Sequence, residues 1–151
     1  MRIIIQRVSK ALVKVEGEII SSINKGMLVL LGIEEADTRE DIEWLVKKMV
    51  QLRIFDDENG VMNLSVQDVG GEIIVVSQFT LHASTKKGNR PSYIKAARQE
   101  FAVPTYEKFI EITEKNLSKK VGKGKFGAMM DVELVNDGPV TIFIDSKQKD
   151  F

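Results

Sequence analysis

Cysteine is absent from the 151 residues, and histidine occurs once, as His82. Without a thiol the chain has no disulfide, no thiolate metal ligand and no cysteine nucleophile, which argues against a redox function. A single imidazole cannot form a His-pair metal site within one chain, and any Ser–His catalytic pair would have to use it. These absences exclude most familiar hydrolase designs, and we expect neither a metal nor a cofactor.

Long apolar runs are also absent. The longest, Met27 to Leu31 and Ile73 to Val76, are far shorter than the ~20 residues that a membrane-spanning helix needs. Residues 1 to 8 lack the apolar stretch and small-residue cleavage site of a secretory signal. We therefore expect a cytoplasmic protein with no membrane partner.

An excess of charge of either sign is likewise missing, since 22 Lys and Arg balance 22 Asp and Glu. A net charge of zero does not fit a disordered polyelectrolyte or a histone-like coat for nucleic acid. At 151 residues, 43% of them apolar, the chain is long enough and apolar enough to bury one core. We expect residues 1–151 to form a single domain.

The first half of the chain is rich in short β-branched segments. The segments 3–5, 12–15, 19–23 and 27–33 are separated by Gly-containing turns and predict a meander of strands. The run from Thr38 to Leu52 has apolar residues at helical spacing, with Asp41 placed to close a capping box, and predicts a helix.

The second half predicts a buried strand, a helix and two more strands. Residues 73–76 are apolar on both faces and lead directly into residues 77–81. Pro104 suits the first turn of a second helix that ends near Gly122. Segments 128–135 and 140–144 alternate apolar and polar residues and predict two strands joined by a turn. The fold class is α+β, with a mainly antiparallel or mixed sheet and two main helices.

Charge is segregated along the chain despite the zero total. Residues 34–72 have a net charge of −7 and residues 77–130 a net charge of +7. Two basic clusters could follow a phosphate backbone, although charge alone favours ordinary solvated faces for both. The first contains Lys86, Lys87, Arg90, Lys95 and Arg98, and the second contains Lys115, Lys119, Lys120, Lys123 and Lys125.

Two segments could contain the chemistry. Ser77-Gln78-Phe79-Thr80 follows the buried strand, where hydroxyls and backbone N–H groups emerge at a strand end, although they could simply satisfy local hydrogen bonds. Residues 136–141 read Asn-Asp-Gly-Pro-Val-Thr. A cis Gly–Pro bond there would turn two successive carbonyls in similar directions, a pair that can bind an ammonium group, whereas an ordinary trans turn is the simpler alternative.

His82 offers a competing design. If residues 80–82 continue as a strand, Thr80 and His82 share a face and could form a nucleophile–base pair. No acidic residue that could orient the imidazole occurs between residues 73 and 99. We therefore expect His82 to lie at the surface.

With both segments considered, the chain closely resembles the D-aminoacyl-tRNA deacylases, also called D-tyrosyl-tRNA deacylases, over nearly its whole length. The combination of SQFTL and NDGPVT at this separation is highly specific. The matching motifs are IQRV (5–8), VEGE (15–18), LVLLGIE (28–34), RIF (53–55), MNLSV (62–66), VVSQFTL (75–81), RPS (90–92) and LVNDGPVT (134–141).

The resemblance implies a homodimer that hydrolyses the ester between a D-amino acid and the terminal adenosine of tRNA. Glycyl esters are implied as further substrates. In each site, the carbonyls of Gly138 and Pro139 from the other subunit would exclude L-amino acids by reaching in beside Ser77 and its neighbours. The backbone of Gln78, Phe79 and Thr80 would stabilise the oxyanion, and the Ser77 and Thr80 hydroxyls would orient the substrate.

The resemblance also implies supporting residues. Arg7 would brace the Gly–Pro element, and Asn136 and Thr141 of the same motif are further supporting residues. Phe126 and Met130 would line the adenosine pocket, although core packing is an equal alternative for these two. We expect D-aminoacyl-tRNA as the partner, and neither DNA nor a membrane. A catalytically inactive tRNA-binding module and a small-ester hydrolase using His82 are the alternatives.

Overall fold

The computed structural model describes residues 1–150 and contains eight strands, two α-helices and a short 3₁₀ helix. The strands are β1 (Arg2–Val15), β2 (Glu18–Ile23), β3 (Gly26–Gly32), β4 (Phe55–Asp56), β5 (Met62–Leu64), β6 (Glu72–Ser77), β7 (Gly122–Lys123) and β8 (Asp131–Asp145). The helices are α1 (Arg39–Gln51), the 3₁₀ helix (Phe79–His82) and α2 (Gln99–Leu117).

A six-stranded mixed sheet forms the centre of the fold. Its strands run in the order β2-β1-β3-β6-β7, with β8 paired to β1 as well. The β3–β6 and β6–β7 pairs are parallel, and the other pairs are antiparallel. The predicted α+β class with a mixed sheet and two helices is therefore confirmed.

The predicted meander is wrong, because β1 is one strand of 14 residues rather than two short ones. Residues 11–15 of β1 pair with β2, and residues 2–8 pair with β3. Because β1 is long enough to pair with β2 along its C-terminal part and with β3 along its N-terminal part, β3 pairs with β1 instead of β2.

The two strands predicted at the C-terminal end are likewise one strand, β8, which continues through the Asn-Asp-Gly-Pro segment. It pairs with β1 on both sides of an irregularity at that segment. The long antiparallel partner keeps both halves of β8 in one ladder, which the local turn-forming sequence does not reveal.

Helix α1 confirms its prediction: Thr38 is the N-cap, and Asp41 completes a capping box. Helix α2 begins at Gln99, so Pro104 lies in its sixth position and not in its first turn. The N–H group of Ala97 donates to the carbonyl oxygen of Ile33, and that of Arg98 donates to the side chain of Glu35. These two bonds hold the chain just before Gln99, so the helix begins there. The helix ends at Leu117, before the predicted Gly122.

Two apolar clusters stabilise the sheet. The larger lies between the sheet and the helices and includes Ile5, Val29, Leu45 and Phe109, all fully buried. The smaller includes Val13, Leu28, Ile74 and Val76 and lies on the other face of β3 and β6, where Val132 and Leu134 of β8 pack against it. Because β3 and β6 bury side chains on both faces, residues at the ends of β6 are held by a rigid strand. No helix within residues 1–150 is long and apolar enough to cross a membrane.

Candidate active site

A cavity of about 350 Å³ opens where β6 ends. This volume lies within the range of small-molecule sites, about 300–1,000 Å³. Its walls come from the ends of β3 and β6, the segment after β6, and the chain entering β8. The lining residues are Leu31, Ile33, Val76, Ser77, Gln78, Phe79, Ala97, Ala102, Phe126, Gly127, Ala128, Met129, Met130 and Val132.

The chain turns into the 3₁₀ helix immediately after Gln78, instead of continuing as a strand. The N–H group of Gln78 donates to the carbonyl oxygen of Leu31 at 2.7 Å, so it is unavailable to a substrate. The N–H groups of Phe79 and Thr80 begin the 3₁₀ helix, and neither donates to an acceptor within residues 1–150. Of the three backbone groups predicted to stabilise an oxyanion, two are therefore free.

Side chains within the segment are arranged around Thr80. The Nε2 of Gln78 donates a hydrogen bond to Thr80 Oγ1 at 2.6 Å. This bond uses the Thr80 oxygen as an acceptor and leaves its hydroxyl proton to be donated elsewhere.

The expected surface position of His82 is wrong, because the residue is only 1% exposed. Neither ring nitrogen has a hydrogen-bond partner within residues 1–150. Burial lowers the pKa of the imidazole, and a smaller effect from the Gly32 backbone opposes it. Since residues two apart in a 3₁₀ helix do not share a face, Thr80 and His82 do not form a nucleophile–base pair.

Two residues that the sequence analysis did not single out hold the 3₁₀ helix in place. Gly32, at the end of β3, lies so close to it that a Cβ there would sit 2.8 Å from Leu81 Cβ and 3.2 Å from the Gln78 carbonyl oxygen. Arg2 Nη1 donates to the Leu81 carbonyl oxygen at 2.9 Å, while its Nε bonds to Asp145 at 2.8 Å. Gly32 lies within the predicted strand 27–33, whereas the sequence analysis gave no signal for Arg2.

Phe126 and Met130 both line the cavity, and they also pack against the core. The Phe126 ring meets the Tyr106 ring edge-on, with centroids 6.0 Å apart. The Tyr106 hydroxyl is buried and donates to the Val75 carbonyl oxygen at 2.7 Å. Burial raises the pKa of Tyr106 beyond its ordinary range, so this hydroxyl stays protonated and acts as a fixed donor. The pocket and core interpretations of Phe126 are thus compatible.

The Asn-Asp-Gly-Pro segment forms a bulge in the middle of β8. Gln6 pairs with Thr141 and Val8 with Asn136, so four residues of β8, 137–140, face the single residue Arg7. The Gly138–Pro139 bond is cis, as the resemblance implies, and both residues are exposed. The bulge therefore presents main chain outward from the sheet.

Arg7 lies beneath this bulge and is 6% exposed. Its Nε donates to the Asp137 carbonyl oxygen at 3.1 Å, and its Nη1 donates to the Ile54 carbonyl oxygen at 2.7 Å. The carboxylates of Asp56 and Asp137 lie 3.3 Å and 3.5 Å from the guanidinium. One buried cation thus ties the bulge to the loop after α1.

Asn136 closes the base of the bulge. Its Nδ2 donates to the carbonyl oxygens of Arg7 and Val140, each at 3.0 Å, and its Oδ1 accepts from the Thr141 hydroxyl at 3.4 Å. Arg7, Asn136 and Thr141 therefore form one network around the exposed Gly–Pro pair.

The bulge and the cavity lie apart within one chain, and neither Gly138 nor Pro139 lines the cavity. Ser77 pairs with Leu31, whereas Arg7, opposite the bulge, pairs with Met27. Along the sheet, the bulge and Ser77 are separated by three strand spacings, roughly 14 Å, and by four residues, roughly 13 Å. Within residues 1–150, no three His, Asp or Glu side chains are grouped so that they could hold a metal ion.

The family model described as "D-Tyr-tRNA(Tyr) deacylase" matches residues 4–145. The chain belongs to this family. A D-aminoacyl-tRNA deacylase from Flavobacterium johnsoniae and one from Bacteroides thetaiotaomicron are each 65% identical to it over 150 residues, covering 99% of this chain and all of theirs. The chain is accordingly an aminoacyl-tRNA ester hydrolase of the D-aminoacyl-tRNA deacylase family.

Two solved structures share the fold. One, titled "c-Myc DNA Unwinding Element Binding Protein", is 44% identical, with a TM-score of 0.92 over 96% of this chain and 98% of its own. The other, titled a probable eukaryotic D-amino acid tRNA deacylase, has a TM-score of 0.81 over 95% of this chain and 97% of its own, and at 15% identity it supports the fold alone.

Proposed function

We propose that the protein hydrolyses D-aminoacyl-tRNA and mischarged glycyl-tRNA in the cytoplasm, as a homodimer that proofreads chirality. Each active site would combine the cavity of one subunit with the Gly138–Pro139 bulge of the other. The observation that supports this best is the position of the bulge: a braced, exposed piece of main chain that lies away from its own cavity.

Hydrolysis would begin with the terminal adenosine in the cavity against Phe126 and Met130. The ester carbonyl oxygen would accept hydrogen bonds from the free N–H groups of Phe79 and Thr80. Water adds to the carbonyl carbon, the bond from that carbon to the ribose oxygen breaks, and the ribose oxygen takes a proton. Free tRNA and the amino acid leave.

Activation comes from the substrate itself in this scheme. An aminoacyl ester already reacts with water, so positioning and two oriented N–H groups can supply the acceleration. Ser77, at the cavity wall, and the Thr80 hydroxyl would orient the substrate and the attacking water.

Direct attack by Thr80 is the less favoured mechanism. A threonine nucleophile needs a base that takes its proton. The side chain bonded to Thr80 is the Gln78 amide, acting as a donor, and the buried His82 has no partner within residues 1–150. Neither group can accept the proton from where it lies.

Chirality would be read by exclusion. If the carbonyl oxygens of Gly138 and Pro139 bind the α-ammonium group, an L side chain must collide with main chain, whereas a D side chain points outward. Main chain held by Arg7 and Asn136 is rigid enough for such a test. Glycine has no side chain to collide, so its ester would also be cleaved.

The experiment compares the release of amino acid from D-tyrosyl-, L-tyrosyl- and glycyl-tRNA. We expect cleavage of the D-tyrosyl and glycyl esters, an intact L-tyrosyl ester, and unchanged rates after treatment with a chelator. Equal cleavage of D- and L-esters would overturn the exclusion mechanism. Salt-sensitive binding of tRNA without turnover would favour an inactive binding module.

A further inference from the structure

The two basic clusters of the sequence differ in the structure. In the second cluster, Lys119 donates to the Gly70 carbonyl oxygen at 2.9 Å, Lys120 lies 3.5 Å from Glu114, and Lys123 lies 3.2 Å from Glu107. Part of this charge is therefore already neutralised within the fold. These lysines are poor candidates for a site that binds phosphate.

The first cluster contains cations that the fold leaves unpaired. Residues 84–92, here called the basic loop, contain Lys86, Lys87 and Arg90, all exposed. None of the three forms an ion pair with an acidic side chain within residues 1–150, and no acidic residue occurs between positions 73 and 99. Three unpaired cations in five residues attract a polyanion and have no visible structural purpose.

The basic loop is built as a projection next to the active site. Its ends are joined by two backbone hydrogen bonds between Ser84 and Ser92, at 2.8 Å and 2.9 Å. Directly after it, the Tyr93 ring meets the Phe79 ring edge-on, with centroids 5.0 Å apart. Because Phe79 lines the cavity, this ring contact holds the end of the loop beside the cavity.

We infer that the basic loop binds the backbone phosphates of the acceptor end of the tRNA, just before the terminal nucleotide enters the cavity. The inference rests on the proposed function, since it takes the ester-bearing adenosine to occupy that cavity. Lysine and arginine are the side chains that neutralise nucleic-acid phosphates, and such contacts position the chain without reading its sequence. The loop would therefore serve all acceptor sequences alike.

The test uses the full chain and a triple variant, Lys86→Gln with Lys87→Gln and Arg90→Gln. Deacylation of D-tyrosyl-tRNA is measured between 50 and 200 mM salt, next to cleavage of D-tyrosyl-adenosine, which lacks the phosphates. The matched control is Lys120→Gln with Lys123→Gln, which removes two exposed lysines that are already ion-paired.

Three lost phosphate contacts should raise KM for the tRNA and leave kcat unchanged. Over this range of salt, the wild-type affinity should fall about 18-fold more than that of the triple variant, for a slope of about −0.7 per contact with a single strand. Cleavage of D-tyrosyl-adenosine and the behaviour of the control variant should stay as in the wild type.

Equal KM and equal salt slopes for the wild type and the triple variant would overturn the inference. So would an equal loss with D-tyrosyl-adenosine, because it would show damage to the cavity itself. A wild-type protein that cleaves neither D-ester would instead contradict the proposed function, so the two failures are distinguishable.

Discussion

Arg7 holds the main chain of Asp137 through a hydrogen bond of 3.1 Å from Nε to the carbonyl oxygen. Its Nη1 bonds at 2.7 Å to the carbonyl oxygen of Ile54, in the loop after α1. Both carbonyls would lose their partner if the guanidinium were removed. The position of the exposed Gly138–Pro139 pair therefore depends on a buried side chain of the neighbouring strand.

Arg7→Met should destabilise the protein and lower its activity. A buried carbonyl left without a donor costs about 1–3 kcal/mol, and two carbonyls lose their donor here, so we expect a loss of roughly 2–6 kcal/mol in the free energy of unfolding. Urea denaturation measures it. The control is Arg53→Met, which removes an exposed arginine bonded to Asn63 at 3.1 Å and should cost under about 0.5 kcal/mol. Similar losses in both variants would refute the bracing role of Arg7.

Gly138→Ala should lower activity far more than stability. A Cβ there would lie 2.9 Å from Arg7 Nη2, and the φ of +122° is one that L residues rarely adopt, so the bulge must shift. A displacement of about 1 Å can cost a factor of about 100 in rate. Gly60→Ala is the matched control, since Gly60 also has positive φ but no heavy atom near its added Cβ. Equal kcat/KM in the two variants would remove the bulge from the mechanism.

Gly32→Ala should displace the 3₁₀ helix, because the new methyl group would meet Leu81 Cβ at 2.8 Å and the Gln78 carbonyl oxygen at 3.2 Å. Phe79 and Thr80 would move with it, so kcat should fall by a factor of about 100. Steady-state kinetics with D-tyrosyl-tRNA test this. A variant with normal kcat would show that the position of the 3₁₀ helix is not critical.

Thr80→Val distinguishes orientation from nucleophilic attack. If the hydroxyl only orients water or substrate, losing one hydrogen bond should lower kcat roughly tenfold. Removal of a true nucleophile can cost on the order of 10⁶. Single-turnover deacylation measures the difference. A loss near the larger value, together with a trapped acyl-enzyme in the wild type, would support attack by Thr80.

His82 should make stability depend on pH. Burial lowers its pKa below the ordinary 6.5, so below that pH the unfolded chain binds a proton that the folded chain excludes. Stability is therefore full above pH 6.5 and falls as the pH decreases, by at most about 1.4 kcal/mol per pH unit from this group. Urea denaturation at several pH values from 7.5 to 5 gives the free energy of unfolding as a function of pH. This free energy should depend less steeply on pH in His82→Leu than in the wild type. Identical slopes would contradict this assignment.

The sequence predicted the elements whose signals are local. Helix α1 has apolar residues at helical spacing and its own capping box, so Thr38 and Asp41 mark its start without help from the rest of the fold. The buried strand β6 was equally clear, because residues 73–76 are apolar on both faces.

Features set by distant contacts could not be predicted. The 3₁₀ helix forms where the segment packs on Gly32, and the N–H group of Gln78 is occupied by Leu31 from a neighbouring strand. Nothing within the Ser-Gln-Phe-Thr motif indicates either contact. The burial of His82 likewise depends on β3, which precedes it by 50 residues.

The Asn-Asp-Gly-Pro segment combines a feature that local sequence predicted with one that a distant contact determines. Its composition predicted an irregular main chain, and the resemblance implied the cis bond that is present. That one strand continues through the segment follows from its long partner β1, which local sequence does not reveal.

Mixed dimers of two variants test most directly whether main chain from a second subunit completes each site. One subunit contains Gly138→Val and the other contains Gly32→Val, so each homodimer should be inactive. If the bulge acts across the interface, the mixed dimer has one intact site and about half of the wild-type activity. A dimer of wild-type and doubly substituted subunits should then be inactive. The reverse pattern, with activity only in that second dimer, would contradict the account.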